Sequence, residues 1–281
     1  GGPSHRGGGD APRIREERGE VREYGWRHEG AASLAGSAYG KLTGRPAACL
    51  SIAGPGATNL LTGLWDANVD RSPVVALTGQ VETQVAGPGA CRAVDLRAAF
   101  GKVAQWQQPA LPNSKHAELV NLACKSAILN RGVSQIIFPD EVPKMPAEEG
   151  ARTGGPKGRI TALEIAPPEE SVDQAVELLA RSRRPVIIVG HGSRFQMDGV
   201  IELAELLSCP VITTFKGKGL IADSHPLAAG VLGPSGTPFA SWAMNESDCL
   251  LVLAASFSHH TGITPKIPTI PVDCDHMILG K

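Results

Sequence analysis

The sequence predicts an α/β protein made of two doubly wound domains, each built on a parallel β-sheet. Short, continuously apolar runs, such as residues 74–77 and 185–189, alternate with stretches of helical periodicity along the chain. Strands that are apolar throughout are typical of parallel sheets covered by helices on both faces. The 33 glycines and 22 prolines fall between these runs, which indicates many tight strand-to-helix turns.

In the first half of the chain, predicted strands and helices alternate as a parallel sheet requires. The first helix is rich in small residues and ends before Gly44, which suits a helix C-cap. A Gly54-Pro55-Gly56 turn precedes the second helix, and a glycine- and proline-rich loop occupies residues 86–90. We predict strands at 21–26, 47–52, 74–77 and 134–138, and helices at 29–42, 57–68 and 117–129.

A segment rich in proline, glycine and charge separates this half from the rest. Residues 143–168 contain Gly154-Gly155-Pro156 and Pro167-Pro168 but little apolar periodicity. We interpret them as a linker between a first domain at 1–142 and a second at 169–281. In the second domain we predict helices at 169–181 and 198–207, and strands at 185–189, 210–213, 249–254 and 269–272.

Composition and charge exclude two classes of partner. The 27 Lys and Arg residues nearly balance the 28 Asp and Glu residues, so no global basic field exists to hold nucleic acid. No run of 18 apolar residues is present, so we expect no membrane span. Chemistry on a small molecule is therefore the default expectation.

Six cysteines lie far apart in sequence, mostly within apolar segments, and form no C-x-x-C motif. This pattern is typical of reduced core thiols, so we expect a cytoplasmic protein. The chain has no initial methionine and no secretory signal, so we expect a piece of a longer protein truncated at both ends.

Two segments of the first domain are candidates for chemistry. Arg27-His28-Glu29-Gly30 places a carboxylate where a helix is predicted to begin. Glu29 there also complements the helix dipole, and His28 suits a structural or surface position, so neither residue alone indicates catalysis. Gly54-Pro55-Gly56 would let a ligand approach the backbone, although the same residues suit an ordinary strand-to-helix turn and do not form a P-loop.

Together these two segments indicate a particular protein family more specifically than either segment does alone. In order and spacing they resemble the pyrimidine-binding domain of thiamine-diphosphate-dependent enzymes, most closely the acetolactate synthase and pyruvate oxidase group. The resemblance continues into a central domain with a Rossmann-like fold. It rests on Arg27-His28-Glu29-Gly30-Ala31-Ala32, Gly54-Pro55-Gly56-Ala57-Thr58-Asn59-Leu60, Pro73-Val74-Val75-Ala76-Leu77-Thr78-Gly79-Gln80-Val81, Pro139-Asp140-Glu141-Val142 and Pro185-Val186-Ile187-Ile188-Val189-Gly190. Residues 2–5 resemble the turn that follows the first strand in related domains, and the resemblance implies that the first domain lacks that strand.

The resemblance implies a role for each of these residues. Glu29 would be the catalytic residue that hydrogen-bonds N1′ of the cofactor aminopyrimidine, and burial would raise its pKa so that it shares a proton with the ring. Thiamine diphosphate would then act on a 2-keto acid such as pyruvate, followed by carboligation or oxidation. The pocket facing the pyrimidine would be lined by Gly54, Pro55, Gly56 and Asn59.

One departure from the family concerns the substrate channel. The family usually carries Phe-Gln-Glu, or a near variant, shortly after a glycine-rich loop, whereas this chain has Cys91-Arg92-Ala93. The segment is either a drifted loop or a site where Arg92 meets a substrate carboxylate or another anionic group. Cys91 has no identifiable base to make it a nucleophile.

The second domain resembles the central domain that holds FAD in the same enzymes. No G-x-G-x-x-G motif is present, and relatives of this domain bind FAD, other nucleotides or none, so FAD is a candidate cofactor only. His259-His260 is a weak metal site because adjacent residues seldom point the same way. The residues that would contact the nucleotide are Gly190, Gly192, Thr214, Lys216, Ser256, Phe257 and Asp273.

The family's diphosphate-binding signature, Gly-Asp-Gly followed by Asn, is absent from the 281 residues. The resemblance therefore implies that Mg2+ and the diphosphate are held by a further domain, that this chain is inactive alone, and that the parent is a homodimer or homotetramer. The alternative is a non-catalytic nucleotide-binding or partner-interaction protein without that domain. A Rossmann dehydrogenase would need the missing glycine fingerprint.

Overall fold

The structure is a computed structural model that describes residues 23–87, 89–146, 160–161, 163 and 165–280. The chain divides into two compact units, Gly1–Leu163 and Glu164–Lys281. Each unit contains its own parallel β-sheet, which confirms the predicted fold class. None of the described helices has the length and apolarity needed to cross a membrane.

The first unit is built on a four-stranded parallel sheet with the strand order β1-β2-β4-β3. The strands are β1 (Ala47–Ser51), β2 (Val74–Gln80), β3 (Ala104–Pro109) and β4 (Val133–Pro139). The helices are α1 (Glu29–Thr43), α2 (Pro55–Asn59), α3 (Leu61–Val69), α4 (Leu96–Phe100) and α5 (His116–Leu129), followed by a 3₁₀ turn at Val142–Lys144.

Helices cover both faces of this sheet. Val74 and Ile137 belong to one buried cluster together with Leu64 of α3, whereas their neighbours Val75 and Ile136 belong to a second cluster. Because successive residues of a strand point to opposite faces, the two clusters lie on opposite sides of the sheet. This is the doubly wound arrangement that the continuous apolar runs predict.

An ion-pair cluster joins α1 to α3 on one of these faces. Lys41 Nζ lies 2.5 Å from Asp66 Oδ2 and 2.7 Å from Asp70 Oδ2. The Ser37 hydroxyl donates to the same Asp66 oxygen at 2.7 Å. The cluster holds α1 in place and thereby positions the residue at which that helix begins.

The second unit has a five-stranded parallel sheet with the order β7-β6-β5-β8-β9. The strands are β5 (Pro185–Val189), β6 (Val211–Thr213), β7 (Ala228–Val231), β8 (Cys249–Leu253) and β9 (Thr269–Val272). The helices are α6 (Glu169–Arg181), α7 (Met197–Leu207) and α8 (Pro238–Glu246), with 3₁₀ turns at His191–Phe195 and Phe215–Gly217. Ile187 and Ile188 fall in different buried clusters, so this sheet is also covered on both faces.

Several predicted elements differ from the observed ones. Residues 23–26 are not a strand, and residues 21–22 lie outside the described part of the chain. The helix predicted at 57–68 is two helices, α2 and α3, separated by a turn at Leu60, whose N–H donates to the Ala57 carbonyl at 3.1 Å. Residues 2–5 and most of the predicted linker also lie outside the described residues.

Four elements were not predicted: α4, β3, β7 and α8. β3 and β7 are edge strands, each with one hydrogen-bonded neighbour, so they do not need the continuous apolar run of a central strand. β3 is accordingly polar, with the sequence AQWQQP.

Candidate active site

The candidate site lies at the carboxyl edge of the first unit's sheet. α1 begins at Glu29, and α2 begins at Pro55 directly after the turn that leaves β1. Both helix N-termini therefore face the edge of the sheet where ligands of α/β proteins commonly bind.

His28 explains why α1 begins where it does. Its side chain is the N-cap of the helix, with Nδ1 accepting the Gly30 N–H at 3.1 Å. This bond satisfies one of the free N–H groups at the helix start. His28 is thus a structural residue here, and it fixes Glu29 in the first turn.

Glu29 lies against the Gly54-Pro55-Gly56 turn and against α2. Asn59 Nδ2 donates to Glu29 Oε2 at 3.1 Å. A Cβ atom added to Gly56 would lie 3.1 Å from Glu29 Oε1 and 2.5 Å from the Ile52 side chain, so glycine is what lets the carboxylate approach the turn. The predicted residues Glu29, Gly56 and Asn59 therefore come together in space.

The electrostatic expectation for Glu29 was wrong. The pKa of Glu29 is lowered from its ordinary value, first by its own backbone N–H and then by the Asn59 amide, and burial opposes these effects without overcoming them. Glu29 is only half-buried, so desolvation is too weak to raise the pKa. In this chain Glu29 is a carboxylate and a hydrogen-bond acceptor at neutral pH.

Arg92 contacts the same turn from another side. A Cβ atom added to Gly54 would lie 2.7 Å from Arg92 Cβ and 3.0 Å from both the Cα atom and the carbonyl oxygen of Arg92. Gly54 has φ 71° and Arg92 also has φ 71°, which is uncommon for a residue with a side chain. The structure therefore places the predicted substrate residue beside the turn that holds Glu29.

The loop that carries Arg92 is tied to the sheet by two residues to which sequence reasoning gave no role. Gln80, the last residue of β2, donates from Nε2 to the Val94 carbonyl at 2.7 Å and accepts the Val81 N–H at 2.9 Å. Glu141 accepts the Thr83 hydroxyl at 2.5 Å and the Thr83 N–H at 3.2 Å. The sequence signal that could have indicated the role of Gln80 is its position as a polar residue at the end of an apolar strand.

In the second unit the predicted glycines lie where the strand order reverses, between β5 and β8. A Cβ atom on Gly190 would lie 1.9 Å from the Ala254 carbonyl oxygen, and one on Gly192 would lie 2.6 Å from Ala254 Cβ. Ala254 itself has φ 46°. The switch point, which is the usual ligand crevice of open α/β sheets, is therefore packed closely by the chain's own backbone.

The other predicted nucleotide contacts also lie at the carboxyl edge of this sheet. Thr214 follows β6 and uses its hydroxyl to accept the Gly217 N–H at 3.2 Å, while Lys216 lies in the same 3₁₀ turn. Ser256 and Phe257 follow β8. Asp273 follows β9 and accepts the Asp275 N–H at 2.8 Å.

A cavity of about 590 Å³ lies beside this edge in the second unit. Its lining includes Leu232, Met244, Phe257, His259 and Ile263. Within the described ranges, no cluster of three or more potential metal ligands occurs.

The two parallel sheets, with a half-buried glutamate held at a glycine turn, define an α/β protein with a candidate site at the carboxyl edge of one sheet. Comparison with known families makes this class specific. The family model described as "Thiamine pyrophosphate enzyme, N-terminal TPP binding domain" matches residues 11–108, and "Thiamine pyrophosphate enzyme, central domain" matches residues 172–281. The chain belongs to the thiamine pyrophosphate enzyme family.

Curated relatives agree with this assignment. The chain is 32% identical over 268 residues to the putative thiamine pyrophosphate-containing protein YdaP of Bacillus subtilis, covering 95% of this chain and 46% of that protein. It is 33% identical over 266 residues to a probable acetolactate synthase large subunit of Methanococcus aeolicus, covering 91% and 44%. An acetolactate synthase large subunit of Parasynechococcus marenigrum is 32% identical over 296 residues, covering 97% and 46%. The chain thus spans less than half the length of these relatives.

Proposed function

We propose that this chain forms the pyrimidine-binding and central parts of a thiamine-diphosphate-dependent enzyme of the acetolactate synthase type, acting on 2-keto acids such as pyruvate. The observation that carries the proposal is the Glu29 carboxylate, held by Asn59 and lying against Gly56 at a carboxyl edge of the sheet. The names of the relatives support the synthase type.

The residues present fit the pyrimidine half of the cofactor. A carboxylate that is an acceptor at neutral pH suits a ring nitrogen that must hold a proton. Gly56 lets the Glu29 carboxylate approach the turn, and Gly54, Pro55 and Gly56 would border the ring through their backbone, since the open side of Gly54 is taken by Arg92. When bound, thiamine diphosphate supplies the nucleophilic carbon and the electron sink for decarboxylation. Glu29 would hold the proton at N1′, and Asn59 would keep the carboxylate oriented toward it.

For the second unit we propose FAD as the nucleotide at the carboxyl edge. The residues at this edge fit a dinucleotide in part. Lys216 supplies a cation, Phe257 supplies an apolar surface, and Asp273 supplies a carboxylate of the kind that binds ribose hydroxyls. Gly190 and Gly192 fit less well, because their open sides are taken by Ala254. In our proposal Gly190 and Gly192 allow close packing of the backbone. Thr214 and Ser256 border the nucleotide.

Other parts of the proposal rest on the family resemblance. Mg2+ and the diphosphate would be held outside this chain, and the active protein would be a homodimer or homotetramer. Two further parts do not depend on the resemblance: the cysteine pattern supports a cytoplasmic protein, and Arg92, where the chain departs from the family, would contact an anionic group of the substrate. A synthase would transfer the two-carbon unit to a second keto acid, whereas a pyruvate oxidase would pass its electrons to FAD. Product analysis separates them, because acetolactate identifies the synthase.

The test is CO2 release from pyruvate by the full-length protein with thiamine diphosphate and Mg2+. We expect Glu29→Gln to lower turnover by roughly 10²- to 10⁴-fold, which is the usual contribution of a positioned acid–base group. Glu118→Gln is the matched control, since Glu118 lies in the first turn of α5 and is exposed. Equal turnover in wild type and Glu29→Gln would contradict the assignment, and no turnover of any 2-keto acid would favour the non-catalytic alternative.

A further inference from the structure

Arg92 is a cation with no assigned partner at the candidate site. Its residue is exposed, and no hydrogen bond or ion pair joins its side chain to another residue in the part of the chain that the structure describes. The other charged residue between Val81 and Val94 is Glu82, which already lies 3.4 Å from Lys144 Nζ. The guanidinium is therefore available to an external anion.

The backbone at Arg92 is held in place and is not in an ordinary conformation. Its Cα, Cβ and carbonyl oxygen lie against Gly54, and its left-handed φ of 71° is unfavourable for arginine. The loop is tied to β2 by Gln80 and to the chain after β4 by Glu141. A strained residue that its surroundings hold fixed is a recognised mark of a functional position.

Decarboxylation restricts which anion this cation can usefully bind. The carboxylate of a 2-keto acid loses its charge as it leaves as CO2, so a guanidinium paired with it would stabilise the bound substrate more than the transition state. Two other anions keep their charge throughout the reaction: the carboxylate of an acceptor keto acid, which all such acids share, and an anionic group elsewhere on the substrate, which only some of them carry. A cation on that second group gives binding and orientation without opposing the chemical step.

We propose that Arg92 is a specificity-determining residue that selects 2-keto acids carrying a second anionic group, such as a carboxylate, in addition to the keto acid itself. The planar guanidinium can bind such a group through two parallel hydrogen bonds. The reaction in this inference rests on the proposed function, whereas the binding step does not. Pyruvate, which has no second anionic group, would be decarboxylated with a lower kcat/KM than a substrate that has one.

The kinetic test compares two substrates of equal chain length in the full-length protein: 2-oxoglutarate, with a terminal carboxylate, and 2-oxopentanoate, without one. We expect wild type to have the higher kcat/KM for 2-oxoglutarate. Arg92→Gln should lower that value by about 10- to 100-fold, as expected for loss of a charge-assisted hydrogen bond, and should lower the kcat/KM for 2-oxopentanoate much less. A preference for 2-oxopentanoate in wild type, or an equal loss for both substrates, would overturn the proposal.

A binding test is independent of turnover. Calorimetric titration with the unreactive acids 2-hydroxyglutarate and 2-hydroxypentanoate should show tighter binding of the first, and Arg92→Gln should abolish the difference. If no 2-keto acid turns over but this difference is present, the proposed function fails while the Arg92 site stands. Equal binding of the two acids to wild type would overturn the Arg92 site.

Arg92→Gly separates recognition from packing. Glycine adopts a φ of 71° without strain, so the variant should unfold at an equal or higher temperature while losing the preference for the dianionic substrate. Arg131→Gly is the control, because Arg131 is exposed, has φ 50° and precedes β4 at the opposite edge of the sheet. A preference kept by Arg92→Gly and Arg92→Gln would overturn the proposal.

Discussion

The turns that follow β1 and β5 have similar backbone packing but contact different chemical groups. In each unit a glycine turn leaves the carboxyl end of a strand and packs against a non-glycine residue with positive φ, Arg92 in the first unit and Ala254 in the second. In the first unit the turn also contacts a carboxylate, Glu29, and the arginine side chain is exposed. In the second unit the contact at Gly190 is with a carbonyl oxygen of the backbone.

The difference shows where the chemistry of this chain is concentrated. The polar groups near the second turn serve the backbone: the Ser193 hydroxyl donates to the Leu253 carbonyl at 2.9 Å, and Thr214 caps its own 3₁₀ turn. Near the first turn, the Asn59 amide instead donates a hydrogen bond to the side-chain carboxylate of Glu29. In our proposal the first turn is therefore the site of proton chemistry, whereas the polar groups at the second turn stabilise its own unit.

The largest expected effect is at Gly190. In Gly190→Ala the new Cβ would lie 1.9 Å from the Ala254 carbonyl, and rigid backbone on both sides cannot yield cheaply. We expect a loss of about 3 kcal/mol in the free energy of unfolding, the upper end for overpacking, measured by urea denaturation.

Gly199→Ala is the matched control for this variant. Gly199 lies in α7 with open space around it, so alanine should stabilise the protein by about 0.5–1 kcal/mol through helix propensity. If Gly190→Ala changed the free energy of unfolding as little as Gly199→Ala, the close packing of Ala254 against Gly190 would be contradicted.

A smaller loss is expected at the corresponding turn of the first unit. Gly54→Ala introduces strain at φ 71° and a contact at 2.7 Å with Arg92 Cβ, whereas the contact at Gly190 is shorter and is made with a backbone oxygen. We expect a loss of about 1–3 kcal/mol from backbone strain in the free energy of unfolding. Gly87→Ala, at φ 105° with no atom within 4 Å of the new Cβ, measures the strain without the contact. If Gly54→Ala lowered the free energy of unfolding more than Gly190→Ala, the turn after β1 would be the more tightly packed of the two turns, contrary to our expectation.

Asn59 should affect the charge of Glu29 more than the stability of the fold. Removing the amide donor in Asn59→Ala should raise the pKa of Glu29, since the side-chain hydrogen bond lowers it in the wild type. Carboxyl 13C NMR titration of Glu29 measures this directly, with Asn130→Ala, whose side chain contacts Ser126, as the control. An unchanged Glu29 titration would show that Asn59 does not orient the carboxylate.

The smallest expected effect concerns acid stability of the second unit. The Ser182 hydroxyl and the N–H groups of Arg183 and Arg184 lower the pKa of Asp248 to about 2 from 3.8. A lowered folded-state pKa stabilises the fold above the unfolded value, and this contribution is lost as the pH falls from 3.8 toward 2. Asp248→Asn should flatten this part of the pH–stability curve, modestly because Asp248 is exposed.

The central strands were predicted because burial on both faces sets their pattern. Helix α6, which has no fully buried residue, was predicted from its periodicity. The apolar strands β2, β4, β5 and β8 were located to within a few residues, because central parallel strands are apolar on both faces. The polar edge strand β3 has no such pattern and was missed. The helix α8 was missed although Thr237 caps it and Pro238 occupies its first turn, which are ordinary start signals.

The candidate site was predictable to a similar degree. The motif spacing located Glu29, the Gly54-Pro55-Gly56 turn and Asn59, and the structure brings them together. The exposure of Glu29 could not be read from local sequence, so the direction of its pKa shift was wrong. The anchoring roles of Gln80 and Glu141 depend on contacts 14 and 58 residues away in sequence, which no local pattern reveals.

The most direct measurement is the rate at which the thiazolium C2 proton of bound thiamine diphosphate exchanges with deuterium in the full-length protein. It reports proton removal without any substrate, in wild type, Glu29→Gln and Glu118→Gln. The account predicts exchange at least about 100-fold slower in Glu29→Gln and unchanged in Glu118→Gln. Equal exchange rates in wild type and Glu29→Gln would contradict the central role of Glu29.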